Sequence, residues 1–268
     1  MSEEELVAVE IEDPICIIRL NRPEKLNAFT YPMLAQIRNA ISRAAEDPHV
    51  VGIIVTGTGR GFSAGLDSSA LSDTVADGGE TRQRSSAGDD LPGLFSYFLT
   101  TPKPIIAAVN GVAAGGGLVL AAMADIRIAS TDARFTTTFL KRGLIAEHGT
   151  SWLLPRVLGP GRALDLLFTS RMVDAAEAHR IGLVEYLVQP EALLETAREY
   201  IKTIARDAAP LTVAESKDLV YRHLGLGYRE ALTEADQVQW RALARPDATE
   251  GARALLERRA ASFERLGR

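Results

Sequence analysis

The 268-residue chain has a single cysteine, four histidines and only 6% aromatic residues. One thiol allows no disulfide within the chain, which fits a reducing, cytoplasmic setting. Cys16 sits in the apolar run Ile15-Cys16-Ile17-Ile18 and is expected as a buried core thiol. His49, His148, His179 and His223 include no i, i+4 pair, and Cys16 lacks a second cysteine, so no metal site is expected. Positive charge is in deficit. Thirty Lys and Arg against 35 Asp and Glu leave a net charge of −5. No basic field exists to hold nucleic acid, which is excluded as a partner, and any anionic ligand must be held by local groups. No apolar run approaches the ~20 residues needed to cross a bilayer. The acidic start Met1-Ser2-Glu3-Glu4-Glu5 reads as neither signal nor transit peptide.

What is present suits a soluble globular chain: 46% hydrophobic and 24% charged residues, enough for one large core or a domain with an appendage. Val7 to Glu12 alternates apolar and polar, and Ile15 to Leu20 follows the Asp13-Pro14 turn signal, so both read as strands. Thr30 is placed to cap a helix carrying Met33, Leu34, Ile37 and Ile41 at helical spacing. Val50 to Val55, Pro104 to Val109 and Ile126 to Ala129 read as further strands, and Leu118 to Met123 as a small buried helix. Residues 68–90 read as a surface loop. Beyond Thr150 the chain reads mostly as helix, with a short strand at Val184 to Val188. The pattern predicts an α/β core with a helical C-terminal region.

Two glycine-rich segments invite a chemical reading. They are Gly61-Phe62-Ser63-Ala64-Gly65-Leu66-Asp67 and Asn110-Gly111-Val112-Ala113-Ala114-Gly115-Gly116-Gly117. Small residues let a ligand approach the backbone, and a helix N-terminus offers free N–H groups with a positive dipole end. Two such sites can hold one developing oxyanion. For either segment alone, tight turns and close packing are the simpler explanation. The second segment lacks the Gly-Lys-Ser/Thr ending of a P-loop, Phe62 interrupts a dinucleotide fingerprint, and no Gly-x-Ser-x-Gly elbow occurs.

Together with Leu20-Asn21-Arg22-Pro23-Glu24-Lys25-Leu26-Asn27-Ala28, Lys103-Pro104-Ile105-Ile106-Ala107-Ala108-Val109 and Ala124-Asp125-Ile126-Arg127-Ile128-Ala129, these segments resemble the enoyl-CoA hydratase/isomerase (crotonase) family. The resemblance implies a spiral of β-β-α units over about 1–200 and a helical oligomerisation region over about 201–268. It implies an acyl-CoA substrate, no cofactor beyond the coenzyme A of that substrate, and a homotrimer or dimer of trimers. It puts the oxyanion hole at the N–H groups of Leu66 and Gly116, and Lys25, Leu26, Ala64 and Asp67 along the coenzyme A path. Phe263 and Arg265 resemble a C-terminal aromatic and basic pair that closes the adenine site. Leu211, Val213, Leu219 and Val220 form apolar stripes suited to a core or a subunit interface.

The chain departs from the family's hydratases at both catalytic glutamates. By alignment of the motifs Val119 and Phe139 stand there, and neither can orient a water or move a proton. Gly143-Leu144-Ile145-Ala146-Glu147-His148-Gly149-Thr150-Ser151-Trp152 instead resembles a stretch of certain Δ3,Δ2-enoyl-CoA isomerases that holds a single acid at the Glu147 position. Glu147 also reads as a helix-entry acid, worth about 0.3–1 kcal/mol to the helix dipole. On the catalytic reading, Val119 and Phe139 border the substrate and desolvate Glu147, which would strengthen it as a base. His148 is expected to face solvent. Alternatives are a hydratase or thioester hydrolase drawing a carboxylate from Asp73, Asp77, Glu80, Asp89 or Asp90, or an acyl-CoA-binding member without chemistry.

Overall fold

The computed structural model describes residues 5–70, 72 and 93–267. Strands β1 (Val7–Glu12) and β2 (Ile15–Leu20) form an antiparallel hairpin across Asp13-Pro14. Strands β3 (Gly52–Gly57), β5 (Ile105–Val109), β7 (Ile126–Ser130) and β10 (Tyr186–Val188) continue the sheet in parallel, in the order β1-β2-β3-β5-β7-β10. These strands read as continuous apolar runs because both sheet faces are covered. Cys16, Ile18, Ile53 and Val55 pack on helix α1 (Tyr31–Glu46), while Ile15, Ile17, Ile54 and Ile106 point the other way into a second cluster. That second cluster is closed by Leu193, Ala197 and Ile201 of a later helix, α6 (Leu193–Asp207). The hydroxyl of Thr30 accepts the Met33 N–H at 3.3 Å and starts α1.

A second sheet is built of very short strands. Strands β4 (Gly61–Ser63), β6 (Val112–Ala114), β8 (Arg134–Thr136) and β9 (Val173–Asp174) pair in that order. Each of β3, β5 and β7 passes directly into its short partner, so β-β units repeat around the molecule. Strands β4 and β6 fall within the two glycine-rich segments, where no strand period is visible. Helix α2 (Gly116–Met123) follows β6 and is buried on every side, as an all-apolar helix must be. Helices α3 (Thr150–Leu158), α4 (Pro160–Thr169) and α5 (Ala175–Arg180) lead to α6. Helices α7 (Pro210–His223), α8 (Tyr228–Leu243) and α9 (Pro246–Glu257) form the helical C-terminal region. Val220, Tyr228, Leu232, Trp240 and Leu256 leave apolar surface exposed there. No helix among the described residues is long and apolar enough to cross a membrane.

One buried polar cluster fastens the C-terminal helices to the sheet. Asp125 accepts the Ile105 N–H at 2.7 Å, the Lys217 ammonium at 2.7 Å and the Tyr221 hydroxyl at 2.8 Å. Replacing Lys217 by methionine leaves the Asp125 carboxylate without its cation in a largely desolvated site. Removing one partner of such a pair is expected to cost about 3 kcal/mol, read as a lower urea midpoint.

Lys103 is almost wholly buried and caps the end of α1 through the carbonyls of Ala44 and Asp47. Burial pushes its ammonium down to about 8, against partial support from Asp47 and Cys16. Burial likewise pushes the Cys16 thiol up to about 11. Between pH 8 and 10.5 the unfolded chain holds a proton on Lys103 that the folded chain has released, so this residue's contribution to stability grows as pH rises. Urea unfolding of the parent and of Lys103→Met at pH 8 and pH 10 is expected to shift the difference between them toward the parent at the higher pH.

Candidate active site

The site begins at a left-handed kink. Leu26 and Asn27 have φ of +50° and +55°, a conformation that Asn tolerates and Leu adopts only under constraint. The constraint is the fully buried Asn27 side chain. Its amide donates to the Thr58 carbonyl at 3.0 Å and the Gly61 carbonyl at 2.8 Å, and its Oδ1 accepts the Arg22 N–H at 2.9 Å. The Ser63 hydroxyl donates back to the Asn27 carbonyl at 2.8 Å. The segments 22–29 and 61–67 are thereby laid side by side. Ala64 N–H donates to Leu26 O at 2.9 Å, Phe29 N–H to Gly65 O at 2.7 Å and Asp67 N–H to Phe29 O at 2.9 Å. Arg22 reaches Asp67 at 3.2 Å. Hydrogen bonds from Ser69, and then Arg22, hold the Asp67 carboxyl below the usual carboxylate range. Lys25 is exposed on the turn beside Leu26.

The two glycine-rich segments meet next to this frame. Gly65 has φ of +87°, and a Cβ there would lie 2.6 Å from Ala114 O and 3.0 Å from Gly116 N. A Cβ on Gly117 would lie 2.1 Å from Ser63 O. Only glycine permits this approach. Gly116 opens α2, so its N–H has no acceptor within the helix. Among the described residues neither the Leu66 N–H nor the Gly116 N–H has a backbone acceptor.

Facing these donors is the loop before α3. A 3-10 turn, Leu140–Arg142, ends at Gly143 with φ of +70°. Glu147 accepts the Thr150 N–H at its own carbonyl, and the N-cap of α3 is Gly149, which offers no side-chain cap. The Glu147 carboxylate lies 3.2 Å from Nε2 of His148. The expectation that His148 faces solvent is corrected here: its side chain is 9% exposed. The cause is backbone shape. His148 at φ +55° and Gly149 at +81° turn the imidazole inward against Glu147.

Leu66, Gly116, Phe139 and Glu147 all border one cleft, together with Tyr31, Leu94, Gly115, Thr138, Arg142, Leu144 and His148. About 30 Å³ of it is open to the centre of a water-sized group. Val119, expected on this wall, is instead packed in the core one turn along α2 and does not border the cleft. Phe263 and Arg265 are also relocated. Arg265 pairs with Asp13 at 3.1 Å, at the opposite end of β2 from Lys25, so within one chain they do not reach the Lys25–Leu26 turn. Asp73, Asp77, Glu80, Asp89 and Asp90 lie outside the described residues. Sequence reasoning gave no role to Arg22 or Asn27, although both sit in a quoted motif. Leu94, Thr138 and Leu144 carry no sequence signal that marks them as cleft residues.

The enoyl-CoA hydratase/isomerase family model matches residues 10–266. The chain belongs to that family. It is 34% identical over 260 residues to crotonyl-CoA hydratase of Syntrophomonas wolfei, covering 97% of this chain and 98% of that protein. It is 37% identical over 205 residues to 1,2-epoxyphenylacetyl-CoA isomerase of Escherichia coli, covering 75% and 76%. The crystal structure of enoyl-CoA hydratase from Bacillus anthracis superposes with a TM-score of 0.87 at 28% identity, covering 97% of this chain and 99% of that one. The enoyl-CoA hydratase of Mycobacterium tuberculosis H37Rv gives 0.86 at 30% identity, covering 97% and 99%. This member of the enoyl-CoA hydratase/isomerase family is thus an acyl-CoA enzyme with the crotonase fold.

Proposed function

We propose that the protein is a Δ3,Δ2-enoyl-CoA isomerase in which Glu147 carries one proton from C2 to C4. The observation that carries this reading is the composition of the cleft. Among the described residues Glu147 is the sole carboxylate on its wall, and it shares that wall with the Leu66 and Gly116 backbone.

The chemistry follows from those groups. The Glu147 carboxylate takes a proton from C2 of a 3-enoyl thioester. The C–H electrons form a C1–C2 double bond and the charge moves to the thioester oxygen. That oxygen accepts the N–H groups of Leu66 and Gly116, the second at the positive end of α2. Glu147, now protonated, returns its proton to C4, and the double bond settles between C2 and C3. One base and one proton suffice, and no water is consumed. His148, 3.2 Å from the carboxylate, keeps it oriented. Lys25, Leu26, Ala64 and Asp67 line the route for coenzyme A, which arrives with the substrate, so no separate cofactor is invoked. The exposed apolar side chains of α7 to α9 suit a homotrimer or a dimer of trimers.

A second reading, water addition, draws on the name of the Syntrophomonas wolfei relative. It needs a second carboxylate to hold and activate the water, and the aligned positions hold Val119 and Phe139. Incubation with a 3-enoyl-CoA tests the proposal. Isomerisation is expected to raise the ultraviolet absorbance of the conjugated 2-enoyl thioester. No conjugation, together with consumption of a 2-enoyl-CoA by hydration, would replace it with the second reading.

A further inference from the structure

We propose that Arg142 selects an acyl-CoA whose chain ends in a second carboxylate, an inference that rests on the acyl group occupying the Glu147 cleft. Arg142 closes the 3-10 turn and is anchored by its N–H, which donates to Phe139 O at 2.9 Å. It borders the cleft beside Phe139, Leu144 and Glu147. The neighbouring cation is already engaged, since Lys141 donates to Ser170 O at 3.0 Å. Arg22, on the coenzyme A side, is held by Asp67 and the Ala28 carbonyl. Arg142 has no hydrogen-bonding or ionic side-chain partner among the described residues, and Glu147 on the same wall forms no ion pair with it.

A guanidinium is a cation that offers a planar fork of donors matching a carboxylate. The rest of the wall, Tyr31, Leu66, Leu94, Phe139 and Leu144, is largely apolar. An unsubstituted acyl chain satisfies that wall and leaves the fork to water. A chain with a terminal carboxylate satisfies both, in a protein whose net charge of −5 otherwise disfavours a dianionic acyl group. The carboxylate also sits at the far end from the reacting carbons, so it fixes C2 and C4 along the cleft in front of Glu147.

The test uses saturated thioesters that cannot react, so it reads binding whether or not the isomerase reading holds. Calorimetric titration compares four-, six- and eight-carbon acyl-CoAs with their ω-carboxy counterparts, on the parent and on Arg142→Met. A charge-assisted pair is expected to make one ω-carboxy form bind about tenfold to a hundredfold tighter than its unsubstituted partner, and Arg142→Met to erase that preference without weakening the unsubstituted thioester. A parent without preference at any length overturns the proposal. So does an equal loss for both classes in Arg142→Met, which would assign the cation to the phosphates of coenzyme A. Failure of the parent to conjugate a 3-enoyl-CoA, with the ω-carboxy preference present, would remove the isomerase reading and leave the specificity standing.

Discussion

Replacing Glu147 by glutamine is expected to lower kcat for 3-enoyl-CoA conjugation by about 10²–10⁴-fold, the usual worth of a positioned general base. Affinity for a saturated acyl-CoA should be unchanged. Glutamine keeps the size of the side chain and can still hydrogen-bond His148, but cannot take a proton from carbon. The N-cap of α3 is Gly149, not Glu147. The Glu147 carbonyl supports that helix start, through Thr150, and the substitution keeps it. A Glu147→Gln variant with full activity would mean that the base lies elsewhere.

Substituting alanine for Gly65 is expected to remove about 10²–10³-fold of kcat, the usual cost of misplacing one oxyanion donor. The added methyl group would lie 2.6 Å from Ala114 O and 3.0 Å from Gly116 N, at a residue with φ of +87°. Both neighbours are backbone, so the two segments must separate, and the Leu66 and Gly116 N–H groups move with them. Backbone strain adds about 1–3 kcal/mol of destabilisation. Gly182→Ala separates the two effects. Gly182 has φ of +85°, but its nearest neighbour is Val157 O at 3.8 Å. It should lose stability and keep kcat. Equal kcat losses in both variants would deny the donors their role.

The large sheet was legible because its strands are buried on both faces and read as apolar runs, Ile15–Leu20 and Ile105–Val109 among them. The small sheet was not. Its strands have two or three residues, too few for a period to register, and Gly61–Ser63 and Val112–Ala114 carry the small residues of a turn. The meeting of Gly65 with Gly116 could be expected from glycine content and the family resemblance together. The depth of His148 could not, because it depends on a left-handed backbone at a histidine, which composition does not announce. Val119 shows the limit of alignment alone. Its position follows the Gly-Gly-Gly run, yet a valine there packs into the core, whereas Phe139 reaches the cleft from a different turn. Nothing in the sequence separates Arg142 from its neighbour Lys141; the cleft wall and the Lys141 bond to Ser170 O distinguish the two.

The central claim is that one carboxylate carries one proton between two carbons of the same substrate. The direct measurement is a single turnover of a 3-enoyl-CoA deuterated at C2, with the product analysed by mass spectrometry and NMR. Transfer by Glu147 predicts a 2-enoyl product with deuterium recovered at C4. A product that takes all its C4 hydrogen from solvent, or a 3-hydroxyacyl thioester formed in its place, would contradict the account.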